Sequence, residues 1–179
     1  MEDIKRIDRE LIFKGSIIDF YKDTMAIPNG NIVKWDHIEH KGAAAVIPVL
    51  ADGRIVMVRQ FRNSVEKHTW EIPAGGLNGK EEPTAVAARR ELMEETGFTT
   101  DEELELLISI HTTVAFCNEK IDIYVAHGLK EGLQHLDEDE VLDVKAFTVQ
   151  EIKEMIYSGK MTDAKTISAI MSYSDKYLK

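Results

Sequence analysis

The sequence has a single cysteine, Cys117, in 179 residues. One thiol cannot close an internal disulfide, and no C-x-x-C pair is present to suggest a zinc knuckle. Cys117 reads as a small apolar residue, buried or half-buried. No apolar run approaches the length needed to span a bilayer. The opening residues MEDIKRIDRE are charged and lack the apolar segment of a signal peptide, so the cytoplasm is the expected compartment. Internal repeats, low-complexity tracts and Ser/Pro-rich linkers are also missing. Positive charge is scarce: 22 Lys and Arg stand against 32 Asp and Glu, a formal net charge of −10. Such a surface repels nucleic-acid backbones and anionic membranes, so neither is an expected partner. It is equally unfavourable to an anionic small molecule, unless a bound cation reverses the local sign.

What is present suits one globular domain. The chain is 44% apolar and 30% charged, and it is long enough to bury a core without disulfides or a structural metal. Two β-prone runs, Ile17 to Ile27 and Ile32 to Ile38, flank the turn residues Pro28-Asn29-Gly30-Asn31. Ala43 to Leu50 is nearly all apolar, as in a strand buried on both faces. A further strand is expected at Arg54 to Phe61. Pro73, Gly75 and Gly76 argue against a regular element at Trp70 to Gly76.

A helix is expected from Pro83 to Thr96, with Gly97 ending it in a left-handed conformation. Strands are expected at Leu104 to Ile110, Ile121 to Ala126 and Leu142 to Phe147. Thr148-Val149-Gln150-Glu151 has the form of a capping box and should open a short helix. A last helix is expected at Asp163 to Lys176. Helices packed on a mixed sheet make the fold class α+β or α/β/α.

The chemically informative stretch is Gly76 to Phe98. Glu91, Glu94 and Glu95 stand three and four residues apart on one face of the expected helix. Like charges at that spacing repel. Arg90 can pair with Glu94, which relieves only part of the repulsion. A solvated acidic helix face is the ordinary reading of such a run. A hard divalent cation such as Mg²⁺ is the alternative that would relieve the rest. The glycines just upstream let backbone approach a ligand closely.

The spacing distinguishes the two. Gly76, Glu82, Arg90, Glu91, Leu92, Glu94, Glu95, Gly97 and Phe98 stand where the pattern G-x₅-E-x₇-R-E-U-x-E-E-x-G-U requires, with U a bulky apolar residue. This resembles the Nudix box at each of its nine defined positions. The flanking Val58-Arg59-Gln60-Phe61-Arg62 and Trp70-Glu71-Ile72-Pro73-Ala74-Gly75 look like the branch of ADP-ribose pyrophosphatases and nucleoside diphosphate sugar hydrolases.

The resemblance implies an α+β Nudix α/β/α sandwich with a mixed sheet at residues 41–179. It also implies an N-terminal β-rich arm at residues 1–40 that serves a homodimer. The implied reaction is Mg²⁺-dependent hydrolysis of a nucleoside diphosphate sugar, with Mn²⁺ as an alternative ion. ADP-ribose, giving AMP and ribose 5-phosphate, leads the expected substrates.

Carried over by position, Glu91 and Glu95 are the main metal ligands. Glu94 is a supporting ligand with a catalytic role, and Arg90 orients the glutamates. Glu82 braces the loop. The carbonyl of Gly75 or Ala74 adds a ligand. Arg62 contacts the diphosphate, and Glu71 sits near the nucleoside or positions Arg62. Trp70 either stacks on a base or belongs to the core.

In the acidic loop Leu136 to Val141, Glu140 is assigned to metal and Glu138 to general base. Glu119 is assigned to substrate contact. One departure from the branch is Val114-Ala115, expected on a strand, where a proline-glycine pair is usual. It leaves GDP-mannose or another nucleotide sugar or dinucleotide as an alternative substrate. A non-catalytic Nudix regulator that binds a nucleotide sugar is the alternative of a different class.

Overall fold

A computed structural model describes residues 3–79, 81–136 and 141–178. The chain forms two compact units. One consists of residues 1–42 with 111–120, and the other of residues 43–110 with 121–179.

The first unit is built on three antiparallel strands in the order β1 (Lys5–Lys14), β2 (Ile18–Ala26) and β3 (Ile32–His40). The β2–β3 hairpin turns where its residue types predict, with Gly30 at φ 86°. β1 was not expected. Six of the ten residues of its sequence KRIDRELIFK are charged, and almost all of it is exposed, its apolar residues included, so no buried face marks it. An Arg9 fork on the buried Asp23 helps hold it to β2 (2.6 and 2.7 Å). Residues 111–120 join this unit through backbone hydrogen bonds to Ile38, from its N–H to Phe116 O and from Asn118 N–H to its carbonyl.

The second unit carries the remaining elements. They are β4 (Ala43–Pro48), β5 (Ile55–Arg62), β6 (Lys67–Glu71), β7 (Ala74–Gly76), α1 (Thr84–Thr96), β8 (Phe98–Thr99), β9 (Glu105–His111), β10 (Lys120–Ala126), β11 (Lys130–Glu131), β12 (Asp143–Phe147), α2 (Val149–Tyr157) and α3 (Ala164–Tyr177). One sheet has the order β7-β4-β10-β9, with β4 and β10 parallel and β4 and β7 antiparallel. A second has the order β12-β5-β6, all antiparallel. β8 and β11 form a short two-stranded ribbon.

The period-2 alternation of strands distributes the core. On β4, Ala43, Ala45 and Ile47 face a cluster containing Ile152 of α2 and Ala169 and Ile170 of α3. Ala44 and Val46 face the opposite cluster, with Ala87, Ala88 and Leu92 of α1. β10 divides in the same way, Ile121, Ile123 and Val125 to one side and Tyr124 and Ala126 to the other. The mixed sheet therefore lies between α1 and the α2/α3 pair. The fold is α+β.

Gly97 and the Thr148–Glu151 box end and open their helices as read from the sequence, whereas Pro83 stands one residue before the first turn and the Asp163 cap was not read. Pro83 is the N-cap of α1, and Gly97 ends it at φ 72°. The Thr148–Glu151 capping box opens α2. Asp163 caps α3 by accepting the Thr166 N–H at 3.0 Å.

Trp70 to Gly76 corrects the expectation of irregular structure. β6 covers Trp70-Glu71, and β7 covers Ala74-Gly75-Gly76. Pro73 falls between them, where its missing N–H breaks no ladder. Its carbonyl still accepts the Val46 N–H at 3.0 Å. Thr113 to Phe116 is likewise a turn rather than a strand, and Val114 is 82% exposed.

Candidate active site

The seam between β7 and α1 gathers most of the expected metal-site residues. Each of three consecutive β7 residues meets a different charged side chain of the helix. The Ala74 N–H donates to Glu95 Oε2 at 3.1 Å. Gly75 lies against the Glu91 carboxylate, so that a Cβ at this position would collide with it. The Gly76 carbonyl accepts from Arg90 Nη2 at 3.0 Å. The register of β7 on β4, with Ala44 opposite Gly75, sets this alignment. The carbonyl of residue 76 is thus taken by Arg90, which leaves the Gly75 and Ala74 carbonyls as the two candidates named from sequence.

Arg90 is the cation of the box. Its Nη1 donates to Glu91 Oε1 at 2.5 Å and to Glu94 Oε2 at 2.9 Å, and its Nε lies 3.5 Å from Glu82 Oε1. Burial works against the Arg90 charge, yet Glu91 and Glu94 more than offset it and raise its pKa. Glu82 also accepts the Asn78 N–H at 2.6 Å, which ties the loop before α1 to the same guanidinium.

Among the described residues, no three His, Cys, Asp or Glu side chains are gathered into a group able to hold a metal ion. The geometry shows a reason: one nitrogen of Arg90 bridges Glu91 and Glu94, while Glu95 accepts from β7. The donor chemistry still fits a hard divalent cation. Glu91 and Glu95 are only 7% and 2% exposed, and Glu94 stands beside them on the same helix. Burying carboxylates without cations is costly. Oxygen ligands of this kind suit Mg²⁺ or Mn²⁺.

Glu138 and Glu140 lie outside the described residues. The segment before them is fastened to the C-terminal turn of α1. The Gly132 N–H donates to Gly97 O at 2.6 Å, Gln134 Nε2 to Glu95 O at 2.6 Å, and the His135 N–H to Glu94 O at 3.1 Å.

Arg62 and Glu71, the expected substrate-binding pair, bond to each other. On the antiparallel β5–β6 pair, Arg62 stands opposite Lys67 and Val58 opposite Glu71, so Arg62, Thr69 and Glu71 share one face. The Arg62 guanidinium grips Glu71 with Nε to Oε1 at 2.8 Å and Nη2 to Oε2 at 2.7 Å. Glu71 is 2% exposed and also accepts from the Thr69 hydroxyl and Lys165 Nζ. Burial pushes its pKa up, but Arg62 and Lys165 prevail and hold it at about 2. Glu71 raises the pKa of Arg62 in turn, and Glu95 contributes through its charge.

Sequence reasoning missed Lys165, which comes from the first turn of α3 and also donates to Asp163 Oδ2 at 3.0 Å. The available signal was a lysine on the face of α3 that carries Ala169, Ile170 and Tyr173 to the core.

The remaining expected residues resolve plainly. Glu119 belongs to the other unit. There it accepts from Thr112 Oγ1 at 2.7 Å, and His40 Nδ1 lies 3.5 Å from it. Trp70 is partly buried and packs edge-on against Phe147 of the core, with ring centroids 5.0 Å apart. Cys117 is a half-buried free thiol that accepts the Glu119 N–H at 3.4 Å.

Comparison with known proteins agrees with this geometry. The NUDIX domain family model matches residues 39–169. The chain is 42% identical over 168 residues to the methanol dehydrogenase activator of Bacillus methanolicus, covering 93% of this chain and 90% of that protein. It is 39% identical over 168 residues to the ADP-ribose pyrophosphatase of Bacillus subtilis, with the same two coverages of 93% and 90%. A crystal structure of an ADP compounds hydrolase superimposes with a TM-score of 0.85 at 19% identity, over 98% of this chain and 94% of that one, and so shares the fold. With its box intact, the α1–β7 seam in place and the family match spanning most of its length, this chain belongs to the Nudix family.

Proposed function

We propose that this chain is a divalent-metal-dependent pyrophosphatase that hydrolyses ADP-ribose to AMP and ribose 5-phosphate. The observation that supports it most is the α1–β7 seam, where Ala74, Gly75 and Gly76 each meet one of Glu95, Glu91 and Arg90. The 39% identity to an ADP-ribose pyrophosphatase favours the substrate.

In this reading Glu91 and Glu95 are the principal ligands of Mg²⁺ or Mn²⁺. Glu94, Glu140 and the Gly75 carbonyl complete the set. The ion supplies Lewis acidity and positive charge to a diphosphate that an acidic chain would otherwise repel. Arg90 screens the repulsion between Glu91 and Glu94 and aims both, one of its nitrogens bonding to each. Arg62 grips the diphosphate oxygens with its planar fork, and Glu71 holds that fork. Glu138 takes the proton of the attacking water. The water attacks phosphorus, and the bridging P–O bond breaks toward the leaving phosphate.

Residues 1–40 are proposed to serve a cytoplasmic homodimer, since β1 exposes Ile7, Leu11, Ile12 and Phe13. Residues 41–179 are proposed as the catalytic domain.

Turnover of ADP-ribose, GDP-mannose, UDP-glucose, NADH, diadenosine polyphosphates and dNTPs with Mg²⁺ tests the reading, beside a Glu95→Gln control. ADP-ribose should lead and the control should be inactive. GDP-mannose or another nucleotide leading would mean that Val114-Ala115 marks a change of specificity with the same chemistry. The 42% identity to a methanol dehydrogenase activator favours a second reading, a nucleotide-binding regulator of a partner enzyme. Tight nucleotide binding without turnover would establish it.

A further inference from the structure

Glu71 is a carboxylate with every acceptor site filled. A carboxylate offers about four lone-pair sites. Arg62 Nε and the Thr69 hydroxyl occupy Oε1, while Arg62 Nη2 and Lys165 Nζ occupy Oε2. Thr69 and Lys165 thus fix the carboxylate from its two sides, and the Arg62 fork takes what remains.

Lys165 is itself fixed. Its Nζ also donates to Asp163 Oδ2, the oxygen that receives the Thr166 N–H and hydroxyl at 3.0 and 2.6 Å. The Thr166 hydroxyl oxygen accepts the Ile72 N–H at 3.0 Å. The first turn of α3 is therefore registered against the end of β6 at two adjacent residues, Glu71 and Ile72.

Exposure separates the members of this cluster. The Glu71 and Lys165 side chains are 2% and 9% exposed and that of Asp163 is 22%, whereas Arg62 is 40% exposed. A buried ionic cluster is a poor source of stability compared with well-packed apolar residues of the same volume. Its arrangement here is that of a mount: three shielded groups hold one guanidinium that reaches solvent.

We infer that Lys165 is a positioning residue, which orients Arg62 toward the diphosphate by locking the Glu71 carboxylate from the α3 side. The inference rests on the reading that Arg62 binds the diphosphate, and it adds α3 to the elements that build the site.

The test compares the full chain with Lys165→Met, which keeps length and removes the charge, and with Thr69→Val, which removes the opposite support. A misplacement of about 1 Å in a positioned group can cost on the order of 10²-fold, so KM for the diphosphate substrate should rise by about tenfold or more while kcat changes less. In an Arg62→Ala background the same substitution should add little, because its effect runs through Arg62. Exchange of the Arg62 Nε–H with water, followed by NMR without substrate, should be slow in the unmodified chain and faster in both variants. Unchanged KM and unchanged exchange in the variants overturn the inference, as does an effect fully additive with Arg62→Ala. If Lys165→Met does not fold, Thr69→Val answers the same question. If the unmodified chain turns over no diphosphate, the functional reading fails by itself, and the Arg62 exchange still decides whether Lys165 positions that residue.

Discussion

Gly75 of β7 packs so closely on Glu91 of α1 that a single methyl group on residue 75 would occupy the space of the carboxylate. The backbone there is not left-handed, so the glycine is required by approach and not by conformation. Gly75→Ala should move the Glu91 carboxylate, the flexible end of a side chain, rather than the helix. Disturbing a group that orients a metal ligand costs roughly 10–100-fold in metal affinity or activity. Gly75→Ala is therefore expected to lose activity within that range, with a melting temperature near that of the unmodified chain. A large fall in melting temperature would show that the helix moved instead.

Glu95→Gln should remove turnover while leaving the fold intact, because the amide oxygen can still accept the Ala74 N–H. Circular dichroism and steady-state rates on one preparation check both halves. Near-normal activity would refute the metal assignment.

Glu138→Gln separates the acids of the loop. Loss of a general base costs about 10²–10⁴-fold in rate. A rate loss of only a few-fold would transfer the role to a neighbouring acid.

Glu71 links stability to pH. Its pKa is about 2 in the folded chain, below the ordinary glutamate value of about 4.3. Because the folded value is depressed, the stabilisation is complete above the unfolded value and is lost as pH falls through the folded one. Urea unfolding should therefore show a contribution that fades between about pH 4.3 and about pH 2, and Glu71→Gln should flatten that slope. At neutral pH the same variant should destabilise by about 3–5 kcal/mol, the usual consequence of removing one partner from a buried ion pair. An unaltered slope would mean that the cluster contributes no pH dependence.

Gln134→Leu tests the clasp at the end of α1. It deletes the 2.6 Å bond to the Glu95 carbonyl, three residues before the acidic run that begins at Asp137. A lower kcat with little change in stability is expected, and unchanged kinetics would make the clasp a purely structural contact.

The elements legible in the sequence were those with local causes. The box placed Glu91, Glu94 and Glu95 on one face because residues three and four apart on a helix are neighbours. Gly97 and the Thr148–Glu151 box mark helix ends through caps whose partners lie within four residues. Elements held by partners far away in sequence were not legible. β1 buries none of its own residues and is defined by pairing with β2. β7 is three residues of alanine and glycine whose strand character comes from β4.

By itself the sequence determined the family, the helix bearing the glutamates, the alternation that divides β4 between two core clusters, and the pairing chemistry available to Arg90. Those properties depend on spacing along a helix or strand, which the chain carries wherever it folds. Tertiary structure alone decided that Gly75 would face Glu91 and that residues 111–120 would join the first unit. It alone also brought Lys165 to Glu71 across 94 residues of chain. Each of these contacts depends on the register between elements distant in sequence, and that register is set by which apolar faces bury each other. No local pattern encodes it.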